Sequence, residues 1–358
     1  MRNKLPMALQ VLSVLKRKMI YTVLLPVFVI LLACSHQVSP VGADRFMLTG
    51  KTRSMPDGTM LYLTETLSNK EVDSMQIIGN TFQAQGHLVD WPTNFYLHTK
   101  DYAEYVSLWL EPGHITFDAS SANFRHAIIT GSQTHAEASS FLEAIANIES
   151  EDDTEQTERL AMEFIRTHPG NRLSASMLAG YSPEWGNKKV KELYEPFTLA
   201  NKESEYGKRI LQYITFHKDH NIGDHYSDFE MKNPEGQLMK LSNHLGKVTL
   251  LEFWASWCGP CRRQNPDLLQ TYRKYHGRGF DIVSVSLDFS QADWVKAIEQ
   301  DSLTWLHVSD LKGRNNLAGI MYGVNAIPDN YLFDRNGVII GQYLWGKDLE
   351  EAIEKSLE

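Results

Sequence analysis

The chain has 358 residues, 42% hydrophobic and 22% charged, which excludes a mostly disordered protein and leaves room for two or three domains. Formal net charge is -9, or -14 without the five cations of residues 1–33 (Arg2, Lys4, Lys16, Arg17, Lys18), so no nucleic-acid partner is expected. The three cysteines, Cys34, Cys258 and Cys261, exclude a disulfide-dense scaffold and a four-cysteine zinc site, and no metal is expected.

Residues 1–33 read as a leader. Arg17 and Lys18 precede an apolar run, Met19 to Ala33, that is shorter than the ~20 residues of a membrane span. The run ends in Leu31-Leu32-Ala33-Cys34, which resembles a bacterial lipobox. That resemblance implies cleavage before Cys34, lipidation of its thiol, and a membrane-anchored lipoprotein of the cell envelope or periplasm. Residues 34–44 then form a tether.

From 45 to 132 the pattern is strand-like. Short runs at Phe46–Leu48, Met60–Leu63, Ile77-Ile78, Thr81-Phe82, Asn94–Leu97, Val106–Leu110 and His114–Phe117 are separated by turn signals such as Pro56-Asp57-Gly58, Gly79-Asn80 and Pro112-Gly113. This spacing predicts a small antiparallel sandwich or barrel. The succession Leu61-Tyr62-Leu63, Gly79-Asn80-Thr81-Phe82 and Leu110–Ile115 resembles the β-rich DUF4369 domain.

From 133 to 221 the period becomes helical: Phe141, Ile145 and Ile148, then Leu160, Phe164 and Ile165, then Val190, Leu193 and Phe197. Pro169-Gly170 and Ser182-Pro183 punctuate this helical connector. The acidic run Glu149–Glu155 reads as a solvated face. His217, His220 and His225 read as an exposed helix end and not as metal ligands.

Residues 222–358 alternate strand and helix. Val248–Trp254 is a buried strand, a helix starts near Cys258–Pro260 and runs to about Tyr275, and Phe280–Leu287 is a second buried strand, making a βαβ unit. A helix over Ala292–Gln300 follows. A hairpin then turns at Asn336-Gly337, and a closing helix spans Leu349–Leu357. The fold class is multidomain: an N-terminal antiparallel β domain, a helical connector and a C-terminal α/β domain.

The chemistry sits in Trp257-Cys258-Gly259-Pro260-Cys261. A C-x-x-C where a buried strand meets a helix suits redox chemistry. Cys258 falls at the helix start, where free backbone N–H groups and the helix dipole favour thiolate below the ordinary ~8.5. Cys261 is one turn on, within reach of a disulfide. An exposed Cys258 attacks a substrate disulfide, and the more buried Cys261 resolves the mixed disulfide. No cofactor is expected beyond the Cys258–Cys261 pair itself.

The segment Leu250–Cys261, LEFWASWCGPC, together with Pro266, Ile327-Pro328, Asn336-Gly337 and Gly346, resembles the thioredoxin family. Extra length between Leu287 and Pro328, with Trp294 and Trp305, resembles the TlpA/ResA-like envelope branch. The resemblance implies a thioredoxin-like fold over 222–358. It also implies a cis proline at Pro328, and a substrate groove along Trp257, Gly259, Pro260, Ile327 and Pro328. Trp254 is expected in the core.

Glu252 matches a buried thioredoxin aspartate. The resemblance makes it the proton acceptor for Cys261; the other reading is a strand-end Glu paired with Lys247. Two positions depart from the family. Gln264 stands where ResA-like proteins often carry Glu, and an amide cannot act as a base. Asp329 stands where Thr or Ser commonly follows the proline, and it either alters substrate preference or caps a turn.

The Gly-Pro insert resembles thioredoxin, near -270 mV, rather than the strong oxidants near -120 mV. A reductant of disulfides in exported proteins is therefore expected, drawing electrons from a membrane thiol donor; apocytochromes c are among the possible substrates. Two alternatives stand beside it. One is a thiol peroxidase, although the P-x-x-x-[ST]-x-x-C context of peroxiredoxins is absent. The other is an envelope scaffold with a vestigial redox domain.

Overall fold

A computed structural model describes residues 43–148 and 154–358. The expected leader, Cys34, most of the tether and most of the acidic run lie outside the described residues. Among the described residues no helix is long and apolar enough to cross a membrane.

The first eight strands are β1 (Arg45–Thr52), β2 (Met60–Glu65), β3 (Glu71–Gln76), β4 (Thr81–His87), β5 (Thr93–His98), β6 (Tyr105–Leu110), β7 (Gly113–Ala119) and β8 (Ile128–Thr130). They form two sheets, ordered β4-β1-β7-β8 and β3-β2-β5-β6. Side chains alternate across each strand, so Phe46 and Leu48 of β1, Leu61 and Leu63 of β2, and Phe95 and Leu97 of β5 share one buried core. The Phe46 and Phe95 rings meet across the sandwich with centroids 6.3 Å apart. Gly50 is required here: the Phe82 ring lies across it, and a Cβ would fall 2.0 Å from a ring carbon.

Two details differ from expectation. The β1–β7 pairing is parallel within an otherwise antiparallel domain. The strand expected at Ile77-Ile78 is instead β3, which ends at Gln76. β3 is an edge strand whose residues are mostly solvent-facing, so its composition is polar and the apolar signal falls just past its end.

The connector holds α1 (Gln133–Ala146), α2 (Thr154–Thr167), α3 (Arg172–Tyr194), α4 (Leu199–Glu203) and α5 (Glu205–Phe216). Pro183 does not end a helix. The helical path continues through it and breaks at Gly186, whose φ of 73° only glycine takes freely. These helices bury one face against Trp109 of β6 and Ile320 further along the chain, so they are joined to both flanking domains. Arg172 adds an ion pair to Asp90 at 2.8 Å.

The histidines after α5 correct another expectation. His217 stacks on Tyr213 at 4.4 Å, and its Nδ1 lies 3.2 Å from the Met321 carbonyl. His220 is buried, stacked on Tyr322 at 4.2 Å and bonded to Ser227 Oγ at 2.9 Å. Only His225 is exposed. The first two are interior because the chain leaving α5 packs directly onto the next domain.

That domain begins with a hairpin, β9 (Glu230–Lys232) and β10 (Leu238–Lys240). It continues with β11 (Val248–Trp254), α6 (Gly259–Tyr275), β12 (Phe280–Ser286), α7 (Gln291–Gln300) and β13 (Leu306–Val308). It closes with α8 (Leu317–Tyr322), β14 (Asp329–Asp334), β15 (Ile339–Gln342) and α9 (Gly346–Leu357). The sheet order is β13-β12-β11-β14-β15, parallel through β11 and antiparallel beyond it. Every residue of β11 is buried. Leu250, Leu251 and Phe253 each contribute roughly 1.5–3 kcal/mol of apolar burial, which suits only a central strand.

Candidate active site

β11 delivers the chain to the C-terminal edge of the sheet, and a short loop turns it into α6. Cys258 is the N-cap of α6, and Pro260 sits in the first turn, where its missing N–H costs nothing. The Cys261 N–H donates to Cys258 Sγ at 3.2 Å. Cys258 and Cys261 are disulfide-bonded, with Cα atoms 5.3 Å apart. The Ile327–Pro328 peptide is cis, and the Ile327 carbonyl oxygen lies 3.8 Å from Cys258 Sγ. A disulfide sulfur has no proton to donate, so this is a contact and not a hydrogen bond.

Cys258 is 4% exposed and Cys261 1%, so the first sulfur is buried and not open as expected. The reason is the Ile327–Pro328 loop, which the local motif does not include. The exposed surface is its surround: Trp257, Gly259 and Pro260. Trp254 is fully buried.

Glu252 is 2% exposed, and its carboxylate accepts 2.6 Å from Ser284 Oγ, the residue opposite it on β12. Trp305 Nε1 donates to the same Ser284 Oγ at 2.7 Å. Burial pushes the Glu252 carboxyl up to about 7, and the weaker pull of Ser284 opposes it. Lys247 is not its partner, and no ion pair reaches it among the described residues. Beside this cluster, His307 of β13 is fully buried with neither ring nitrogen hydrogen-bonded. Burial lowers it to about 3.

The two departures from the family pattern are both enclosed. Asp329 is 4% exposed, and burial raises it to about 7 against the Asn330 backbone N–H. It caps no turn; it opens β14 opposite Phe253, and its Oδ1 has no partner. Gln264 is half-buried with an unpartnered Oε1.

Sequence reasoning missed the supports of the loop. Ser256 donates to Asp288 through both its N–H (2.9 Å) and its Oγ (2.5 Å). Arg262 forks onto Asp301 at the end of α7 and donates from Nη1 to the Ser256 carbonyl at 3.1 Å. Asp288 and Asp301 lie 32 and 39 residues from Ser256 and Arg262, and no local pattern links them.

A cavity of about 910 Å³ also escaped the sequence. Trp257 and Phe289 line it from the C-terminal domain, Tyr96 and Tyr102 from the β domain, and Tyr206 and Arg209 from the connector. Gly313, at φ +56°, lies under the Phe289 ring, where a Cβ would fall 2.0 Å from a ring carbon.

Residues 222–342 match the AhpC/TSA family, and residues 46–138 match a domain of unknown function, DUF4369. Among solved structures, the thioredoxin domain of a thiol-disulfide oxidoreductase from Bacteroides vulgatus is 32% identical, with TM-score 0.37, 38% of this chain covered and 99% of that one. A thiol-disulfide oxidoreductase from Bacteroides fragilis is 28% identical, with TM-score 0.35, 37% of this chain covered and 98% of that one. The thiol-disulfide oxidoreductase ResA of Bacillus cereus is 27% identical over 172 residues, 48% of this chain and 97% of that protein. The ResA of Geobacillus thermodenitrificans is 31% identical over 137 residues, 38% of this chain and 76% of that protein. On that last match, the chain belongs to the family of thiol-disulfide oxidoreductases that includes ResA.

Proposed function

We propose that this protein reduces disulfides of exported proteins in the cell envelope through the Cys258–Cys261 dithiol. The observation that carries the reading is the Cys261 N–H directed at Cys258 Sγ at the start of α6, which stabilises negative charge on that sulfur. In the reduced enzyme the Cys258 thiolate attacks one substrate sulfur. A mixed disulfide forms, and the other substrate sulfur leaves as a thiolate. Cys261 gives its proton to Glu252, directly or through water, and its thiolate attacks Cys258 Sγ. The Cys258–Cys261 disulfide forms and the second substrate thiolate leaves. Two electrons pass from enzyme to substrate. A membrane thiol donor restores the dithiol, because the compartment is oxidising. Lipid on Cys34 holds the protein at the membrane, with 34–44 as tether.

Insulin reduction by the full chain, with Cys258→Ser as control, tests the activity. The reduction potential tests its direction: below about -240 mV supports a reductant, and above about -150 mV overturns it. The AhpC/TSA match favours one second reading, a thiol peroxidase. Peroxide consumption without added thioredoxin would support that instead.

A further inference from the structure

The cavity beside Trp257 is walled by all three domains, so a substrate segment lying in it would meet the β domain and the connector as well. Its charge is unusual. The chain is acidic, yet Arg209 of α5 and Arg314 both face the cavity and neither makes an ion pair or hydrogen bond among the described residues. Arg209 is half-buried. Burial first, and then the like charge of Arg314, hold Arg209 below its ordinary value, to about 10, so it remains a cation at neutral pH.

The other charges in the wall do not neutralise this pair. Asp288 is taken up by Ser256 and Ser286, and Arg262 is committed to Asp301. Lys296 and Asp293 are exposed on α7. Arg209, half-buried, and Arg314, exposed, line the same cavity, and neither is paired with a carboxylate among the described residues. A carboxylate matches the fork of donors on each.

We propose that this cavity binds the substrate segment around the disulfide, and that Arg209 and Arg314 select segments carrying Asp or Glu near the reacting cysteine. The proposal rests on the oxidoreductase reading above and adds the substrate's chemical class. The volume lies within the roughly 300–1,000 Å³ of pockets that enclose small ligands, which fits a short unfolded segment and not a folded domain. Tyr96 and Tyr102, both exposed, offer aromatic faces for its side chains and backbone.

The test uses the full chain with Cys258→Ser and Cys261→Ser, so that no thiol exchange takes part. Two fluorescent peptides with Ser in place of Cys, amidated at the C-terminus, differ only in Glu or Gln beside that Ser. Anisotropy should show the Glu peptide binding about tenfold more tightly at low salt, with the ratio shrinking at ~1 M. Adding Arg209→Gln and Arg314→Gln should bring the ratio close to one. The exposed Arg314→Gln alone should lower it at least about threefold, which keeps the test decisive if Arg209→Gln does not fold. A Gln peptide with a free C-terminus separates a terminal carboxylate from a side-chain one; if it binds as tightly as the Glu peptide, side-chain selection is overturned. Equal affinities for Glu and Gln peptides, no binding of either, or a ratio unchanged by the arginine variants also overturns the proposal. Failure of insulin reduction by the wild-type chain would instead strike the oxidoreductase reading, which this binding assay does not touch.

Discussion

The backbone N–H of Cys261 points at the sulfur of Cys258 across 3.2 Å, from the first turn of α6. A donor held there stabilises an anion on one sulfur of the pair and not on the other. In the reduced chain, Cys258 should therefore be alkylated by iodoacetamide at neutral pH at least ~10-fold faster than Cys261. Mass mapping of the modified peptide reads this directly, and the reverse order would remove the basis for assigning Cys258 as the attacking group.

Glu252 links this site to pH. In the folded chain it keeps its proton up to about 7, whereas in the unfolded chain it loses it near 4.5. The folded state thus binds more protons across that window, and stability falls as pH rises through it. Glu252→Gln should raise stability near pH 8 by at most about 3 kcal/mol and leave it nearly unchanged below about pH 4.5. The same variant should slow release of substrate from the mixed disulfide by ~100-fold or more. Thermal melts at the two pH values and stopped-flow resolution rates check both. A variant that resolves at the wild-type rate would leave Glu252 a structural residue.

His307 has the opposite sign. Burial holds it neutral down to about 3, while the unfolded chain takes up the proton near 6.5. The unfolded state binds more protons between those values, so stability falls as pH drops through the window. Phenylalanine keeps the ring that packs on Trp305 and removes two unpartnered nitrogens. His307→Phe should gain about 2 kcal/mol more over wild type near pH 5 than near pH 8. Parallel stability profiles in urea melts would contradict this.

Arg262 ties α6, α7 and the Ser256 carbonyl together. Arg262→Ala removes these bonds and strands Asp301, which retains Asn265 Nδ2 at 2.7 Å. Both charged groups keep some solvent contact, so the loss should be about 2–3 kcal/mol, below the range for fully buried pairs. Insulin reduction should fall with it, because the loop bearing Cys258 loses its brace. Arg262→Lys should recover little, since an ammonium cannot fork onto Asp301. Full recovery by Lys would show that charge alone matters.

How legible each part was follows from how local its causes are. β11 was readable because a central strand is apolar throughout, and the β14–β15 turn because Gly337 adopts φ 76° between Asp334 and Val338. β3 was displaced because an edge strand carries little apolar signal. β13 and α8 went unread because they are short, at three and six residues, and lie within the extra length before Pro328. The histidines after α5 were read as exposed because nothing near them in sequence reveals that α8 covers them.

By itself the sequence determined a pair of cysteines one turn apart at the start of a helix behind a buried strand. Strand, cap and both cysteines lie within the 14 residues Val248–Cys261, so neighbouring side chains and backbone hydrogen bonds suffice to place them. Only the tertiary structure decided how that pair is enclosed: the burial of Cys258 under the Ile327–Pro328 loop, Ser284 and Trp305 around Glu252, and the cavity lined by both Arg209 and Arg314. Those contacts join residues far apart in the chain. They arise from which faces of the sheets and helices pack together, and no local periodicity records that.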